Sequence, residues 1–236
     1  MSFLTAEWRR LALANYKVDP AILEPYLPYK TELDIYNGIC YASLVGFMFK
    51  NVRVLGLKIP GHVHFEEVNL RFYVRCKEAG EWKRGVVFVK EIVPKHAISF
   101  VANTVYNEVY ETRKMNHIWE EKANELLTTY NWKNKKDWFS FSVTSDTIAK
   151  PIPLDSETEF ITEHYWGYNK TGKHTTTEYQ VTHPKWNAYD IKSYKIKADF
   201  AREYGENFRF LNDAEPISVM LAEGSSITIE GKSTIR

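Results

Sequence analysis

Extended, alternating segments follow one another along this sequence with no long helical stretch between them. That succession constrains the fold more than any other feature, because strands joined by short turns build antiparallel sheet, whereas parallel sheet needs long crossovers. The clearest segment is "FEEVNLRFYV", Phe65 to Val74. Val68, Leu70, Phe72 and Val74 share one face, an ordinary core face. Glu67, Asn69 and Arg71 share the other, bracketed by Phe65 and Tyr73. A polar row on a strand is normally its wet side. Aromatic residues at both ends suggest a face that is at least partly covered.

The rest of the chain reads in the same manner. "YKVDPAILEPYLP" (16–28) starts a helix with Asp19 as N-cap and Pro20 at the first helical position, and Pro28 stops it. "LDIYNGICYASLVGFMF" (33–49) gives two strand runs with a turn near Asn37-Gly38. The opening strand pairs with "VVFVKEIV" (86–93) across a glycine-containing turn. A short helix with Pro94 at its start is expected over 94–107, and a strand over 113–119. A hairpin folds around "KNKKD" (133–137). Asp155 or Ser156 caps a short helix before a strand "HYWGY", which turns through "NKTGK" into 174–186. "PISVMLAEGSSITIEG" reads as two strands around Gly224. About ten strands and three short helices result, in one domain over residues 1–236. The expected class is α+β: mainly antiparallel β-sheet closed into a cone-like barrel, with a few short helices outside.

Composition excludes several roles. Fifteen Tyr, thirteen Phe and seven Trp favour pleated, half-covered surfaces over helix bundles. The net charge of +1 supplies no attraction to nucleic acid or to an anionic membrane. The basic run "NWKNKKDW" (131–138) reads as a solvated hairpin tip. Cys40 and Cys76 sit in apolar runs without a C-x-x-C, so they read as small buried hydrophobes rather than a redox pair. The amphipathic start "MSFLTAEWRRLALANY" lacks a signal-peptide core, and no segment approaches the roughly 18 apolar residues of a membrane span. A cytoplasmic protein is the expectation. The oligomeric state is left open.

Three constellations could carry chemistry. Glu67, Asn69 and Arg71 are either a solvated lateral salt-bridge face or the polar lining of a pocket. In "TEHYWGY" (162–168), Glu163 and His164 are candidates for acid–base work, although a lone strand histidine is more often structural. In "GHVHFEE", His62, His64 and Glu66 have the spacing to present two imidazoles and a carboxylate to one ion if they share a strand face. That segment follows Pro60-Gly61 and also reads as a loop, so no metal site is assigned. The sequence has no glycine-rich phosphate loop, no G-x-S-x-G elbow and no recognisable cysteine nucleophile motif, and implies no cofactor.

"VDPAILEPYLP", "FEEVNLRFYV", "GVVFVKEI", "ANTVYNEVY", "TEHYWGY" and "VTHPKW", in that order, closely resemble the YqjF-like family. This is a bacterial family without an established function and a distant branch of the acetoacetate decarboxylase-like superfamily. The resemblance covers roughly residues 5–230. It implies an antiparallel barrel with a small-molecule pocket inside, faced by Glu67 and served by Lys17 just before the first helix. It therefore favours the pocket reading of Glu67, Asn69 and Arg71. Two departures matter. The decarboxylase lysines are replaced by Tyr110 and Glu111, and Lys114 is displaced along the chain, so Schiff-base decarboxylation is not expected. Asn103 and His164 stand where the family commonly shows arginine, which counts against a carboxylate or phosphate ligand.

The sequence thus points to binding of a small polar organic molecule inside the barrel. Lys17, Glu67, Asn69 and Arg71 are the ligand candidates; Glu67, Tyr106, Tyr110, Glu163 and His164 are the catalytic ones. A lyase or isomerase acting on a keto or enol compound without a Schiff-base lysine is one alternative. A structural or interaction module with a filled barrel is the other.

Overall fold

The computed structural model describes residues 2–96 and 109–236. The helix expected over 94–107 therefore lies almost wholly outside the described residues. The remaining chain is sheet-dominated, with short helices. Its strands are β1 (Ser2–Lys17), β2 (Thr31–Leu33), β3 (Tyr41–Val54), β4 (Phe65–Glu78), β5 (Glu81–Val93), β6 (Tyr110–Thr112), β7 (Met115–Lys122), β8 (Glu125–Asn134) and β9 (Asp137–Pro151). After them come β10 (Trp166–Gly172), β11 (Thr175–Thr182), β12 (Asn187–Lys197), β13 (Ser218–Glu230) and β14 (Ser233–Ile235). The short α-helices are α1 (Pro20–Leu23), α2 (Glu157–Thr162) and α3 (Phe200–Tyr204).

Local chemistry explains the punctuation. The Asp19 side chain accepts from Ala21 N, and Pro20 opens α1. Ser156, not Asp155, caps α2 by accepting from Glu159 N. β4 and β5 join through Ala79-Gly80, both at positive φ, so the hairpin turn is tighter than the sequence suggested. Asn37 and Gly38, with φ of 48° and 75°, make the expected turn.

Adjacent strands run β11-β10-β5-β4-β3-β1-β13, and β13 pairs back onto β11, so the path returns to its start as a ring of strands. From β13 the sheet continues through β12, β9, β8 and β7. Most pairings are antiparallel, as expected, but β5 forms short parallel pairings with β6 and β10.

The main correction to the sequence reading lies at the N-terminus. The amphipathic start is β1, a central strand hydrogen-bonded to β3 on one side and β13 on the other. Its alternation is obscured by a register shift between Arg9 and Ala12, where Arg10 has φ of 51°. β13 answers that bulge with Gly224, opposite Arg9, at φ of 79°. The C-terminal segment is therefore one bent strand around Gly224, not two.

β4 is buried on both faces. Val68, Leu70, Phe72 and Val74 join a core outside the ring, built with Tyr130, Trp132 and Phe141 of β8 and β9 and with Phe200 of α3. β8 crosses closely enough for the Tyr130 ring to sit on Gly46, where an added Cβ would come within 2.8 Å of the ring. Phe65 and Tyr73 face the other way, into a second core inside the ring with Leu13, Val45 and Phe47. Phe160 of α2 packs against Tyr41 and Tyr73, so this helix lies across one end of the ring.

Gly224→Ala should cost at least about 2 kcal/mol, read by denaturant unfolding. The new Cβ would lie 2.0 Å from Trp8 O, at a φ that alanine disfavours. A loss below about 0.5 kcal/mol would show that the β1–β13 bulge is not a required bend.

Candidate functional site

The ring encloses a cavity of about 170 Å³. One water needs roughly 10–15 Å³, so the space exceeds a solvent site by an order of magnitude. Phe47, Phe65, Phe88, Trp166, Tyr179 and Trp186 give it a largely apolar wall. Ile59, 45% exposed on the loop after β3, also lines it, so the cavity reaches the surface there.

The polar row of β4 faces this space. Glu67, Asn69 and Arg71 all line it and are only 2%, 1% and 9% exposed. Glu67 does not pair with Arg71. Asn69 Nδ2 donates to Glu67 Oε1 at 2.9 Å, and the Tyr110 hydroxyl donates to Oε2 at 3.2 Å. A strand rises roughly 3.3 Å per residue, so Glu67 and Arg71 sit about 13 Å apart along β4. Arg71 lies toward the α2 end, where its side chain makes one long hydrogen bond, 3.5 Å to Ile161 O, and approaches the Tyr73 ring. No carboxylate among the described residues pairs with it.

His164 follows α2 directly and lines the same end of the cavity. Its Nε2 lies 3.1 Å from Asp34 Oδ2, which also accepts from Arg84 Nε at 2.6 Å. The ring packs edge-on to Phe160 and tilted against Tyr73. Burial would raise the Asp34 carboxyl, but hydrogen bonds from His164 and Arg84 outweigh it and hold the group below its usual range. Burial pushes His164 down to about 4, helped by the Arg84 and Arg71 charges and opposed by Asp34. The imidazole is thus neutral near pH 7. With ionised Asp34 as acceptor, its proton sits on Nε2 and Nδ1 is left as an acceptor.

Three buried polar atoms at this wall have no hydrogen-bond partner among the described residues: Asn69 Oδ1, Arg71 Nε and His164 Nδ1. Such groups are rare in folded proteins, where burial without a partner costs about 1–3 kcal/mol each.

Other sequence candidates fall elsewhere. Lys17, at the end of β1, is exposed and does not line the cavity. Glu163 faces a smaller cleft with Lys185 and accepts from Tyr165 OH. Tyr106 and Asn103 lie outside the described residues. His62 and His64 are on the loop before β4 rather than on a strand face. His62 Nδ1 lies 3.0 Å from Pro60 O, His64 Nδ1 accepts from Asn51 N, and Glu66 turns to His117 at 2.6 Å. These three side chains do not converge, and no group of three metal-ligating side chains gathers among the described residues. Lys114 does not line the cavity, nor does any other lysine among the described residues. The segment 97–108 contains no lysine.

Sequence reasoning missed Asp34, Arg84, Thr162 and His183. His183 stacks on Trp186 at 4.2 Å and lines the cavity. "VTHPKW" carried a histidine directly after a strand, but no local signal tied it to β4.

The His164 environment sets a pH dependence. The unfolded imidazole takes a proton near pH 6.5, and the folded one only near 4. As pH falls through that window the unfolded state binds the extra proton, so stability present above pH 6.5 declines by an order of 3 kcal/mol. His183 is also lowered by burial and adds to the same slope. His164→Gln should flatten part of this decline in urea titrations at pH 4 to 7. An unchanged slope would mean that His164 is not held neutral.

Known proteins give the following likenesses. The model of the DUF2071 family, described as an uncharacterized conserved protein, matches residues 5–226. The uncharacterized protein YqjF of Bacillus subtilis is 30% identical over 161 residues, 67% of this chain and 64% of its own length. That alignment thus spans somewhat less than two thirds of YqjF. Among solved structures, an acetoacetate decarboxylase from Legionella pneumophila superposes with a TM-score of 0.65 at 14% identity, covering 98% of this chain and 87% of its own. The enduracididine biosynthesis enzyme MppR in complex with pyruvate gives 0.69 at 12%, covering 100% and 91%. An acetoacetate decarboxylase-like enzyme from Sphingomonas wittichii gives 0.65 at 14%, covering 100% and 94%. At these identities the structural likeness speaks for the fold, and the match over 5–226 speaks for kinship: the chain belongs to the DUF2071 family.

Proposed function

We propose that the ring of strands works as a small cone-like barrel, in one domain over the whole chain, whose cavity binds a small organic molecule with an apolar body and a polar group. The observation that carries this reading is the set of buried atoms on Asn69, Arg71 and His164 without a partner among the described residues, at one wall of a space that the Glu67 and Glu91 carboxylates also line and whose remaining wall is largely apolar. A molecule offering complementary polar atoms would satisfy them while its body displaced water from the aromatic wall. Glu67, held by Asn69 and Tyr110, is the acceptor further along the row.

Lyase or isomerase chemistry on a keto or enol compound is the second reading, favoured by a carboxylate and a tyrosine hydroxyl facing one cavity. The absence of any lysine on the described lining, and from the sequence of 97–108, argues against amine catalysis in either case. The filled structural module is disfavoured by the cavity itself.

Thermal unfolding against small carboxylates, alcohols, keto acids and amines tests the reading. A ligand at about 100 times its Kd stabilises by about 2.7 kcal/mol, or roughly 5–10 °C for a chain of this size. At least one compound should give such a shift, and Arg71→Met should abolish it for anions. A panel that leaves wild type unmoved would contradict binding.

A further inference from the structure

Resting on the cavity reading above, we infer that the ligand is a 2-hydroxy carboxylic acid with a small apolar side chain, its carboxylate on Arg71 and its hydroxyl donating to His164 Nδ1. Arg71 and His164 approach the same tyrosine ring, at 5.5 Å and 4.7 Å from Tyr73, so one compact head can meet both. The Arg71 guanidinium can only donate, and no carboxylate among the described residues neutralises it. It calls for an acceptor, and an anion most of all.

His164 calls for the opposite. Asp34 accepts from Nε2 at 3.1 Å and Arg84 in turn holds Asp34, its Nη2 standing 3.4 Å from the same nitrogen, so the ring is oriented from behind and Nδ1 is a neutral acceptor without a partner among the described residues. It needs a donor on the ligand. A ketone in that place would set two acceptors against each other. An ammonium would be a donor, but it would bring a further positive charge, removed from water, beside the Arg71 and Arg84 guanidiniums that flank this imidazole. A neutral hydroxyl next to a carboxylate meets both demands. Asn69 Oδ1 offers a second acceptor on the same row.

The body of the molecule follows from the space. About 170 Å³ is slightly more than the roughly 150 Å³ of an apolar cavity that takes up benzene. With Phe47, Phe65, Trp166 and Trp186 on the wall, a phenyl or branched aliphatic group fits.

Calorimetric titration of the full chain with mandelate, phenylglyoxylate and phenylglycine tests this, since the three differ only at the 2-position. Mandelate should bind about 10–100-fold more tightly than either, because phenylglyoxylate has no donor and leaves a buried acceptor unpaired, whereas phenylglycine brings a positive charge beside two arginines. In His164→Phe, mandelate should weaken to the level of phenylglyoxylate, whose own affinity should change less than about threefold. Should that variant not fold, the wild-type His164 imidazole nitrogens can be followed by NMR, and Nδ1 should move on addition of mandelate while Nε2 keeps its proton. Equal or tighter binding of the keto or amino acid, or an unmoved Nδ1, would overturn the inference. Benzoate and benzyl alcohol separate the two levels of argument. If benzoate binds but mandelate is no better, the hydroxy-acid inference falls and the cavity reading stands. If none of the five binds, both fall.

Discussion

The pairing of β13 with both β1 and β11 is the constraint on which the rest depends. It returns the sheet onto itself and gives β4 two covered faces. One face of β4 then packs under β8, β9 and α3, and the other is turned into the ring. Only this second burial makes Glu67, Asn69 and Arg71 unusual. On an open sheet the same residues would be a wet face with weak lateral charge interactions. The bulge at Arg10 and the answering Gly224 supply the bend that closure requires.

Burying that row is costly. A guanidinium removed from water without a carboxylate partner loses several kcal/mol of solvation. Folded proteins usually neutralise such a group, and a glutamate is available four residues away. Instead Glu67 is engaged by Asn69 and Tyr110, and Arg71 points toward α2. A similar restraint holds His164, fixed through Asp34 and Arg84 with its other nitrogen unpartnered among the described residues. Polar groups kept apart, oriented from behind and left open in front support the binding wall we propose over a framework ion pair. In the proposed reading, the stability withheld from the fold is available to a ligand.

Much of the fold was legible in the sequence because its signals are local. The alternation of 65–74, the Asp19 and Ser156 caps and the turns at Asn37-Gly38 and Ala79-Gly80 involve neighbours along the chain. β1 escaped recognition because its bulge places Arg9 and Arg10 where alternation should continue. β13 was divided in two because Gly224 reads as a turn although it bends one strand. The site was half legible. The polar row stood out on β4, and its aromatic brackets suggested cover. The Asp34–His164 contact joins residues 130 positions apart, and no periodicity encodes it. Lys17 followed from a motif position, but its side chain stays in solvent.

The central claim is that the ring interior is hollow and that Arg71, Asn69 and His164 face a space meant for another molecule. A high-resolution crystal structure of the purified protein tests it most directly. The account expects discrete density, from water or a retained small molecule, within hydrogen-bond reach of Arg71 Nε, Asn69 Oδ1 and His164 Nδ1. An interior filled by the protein's own side chains, with Arg71 swung onto Glu67 as an ion pair, would contradict it.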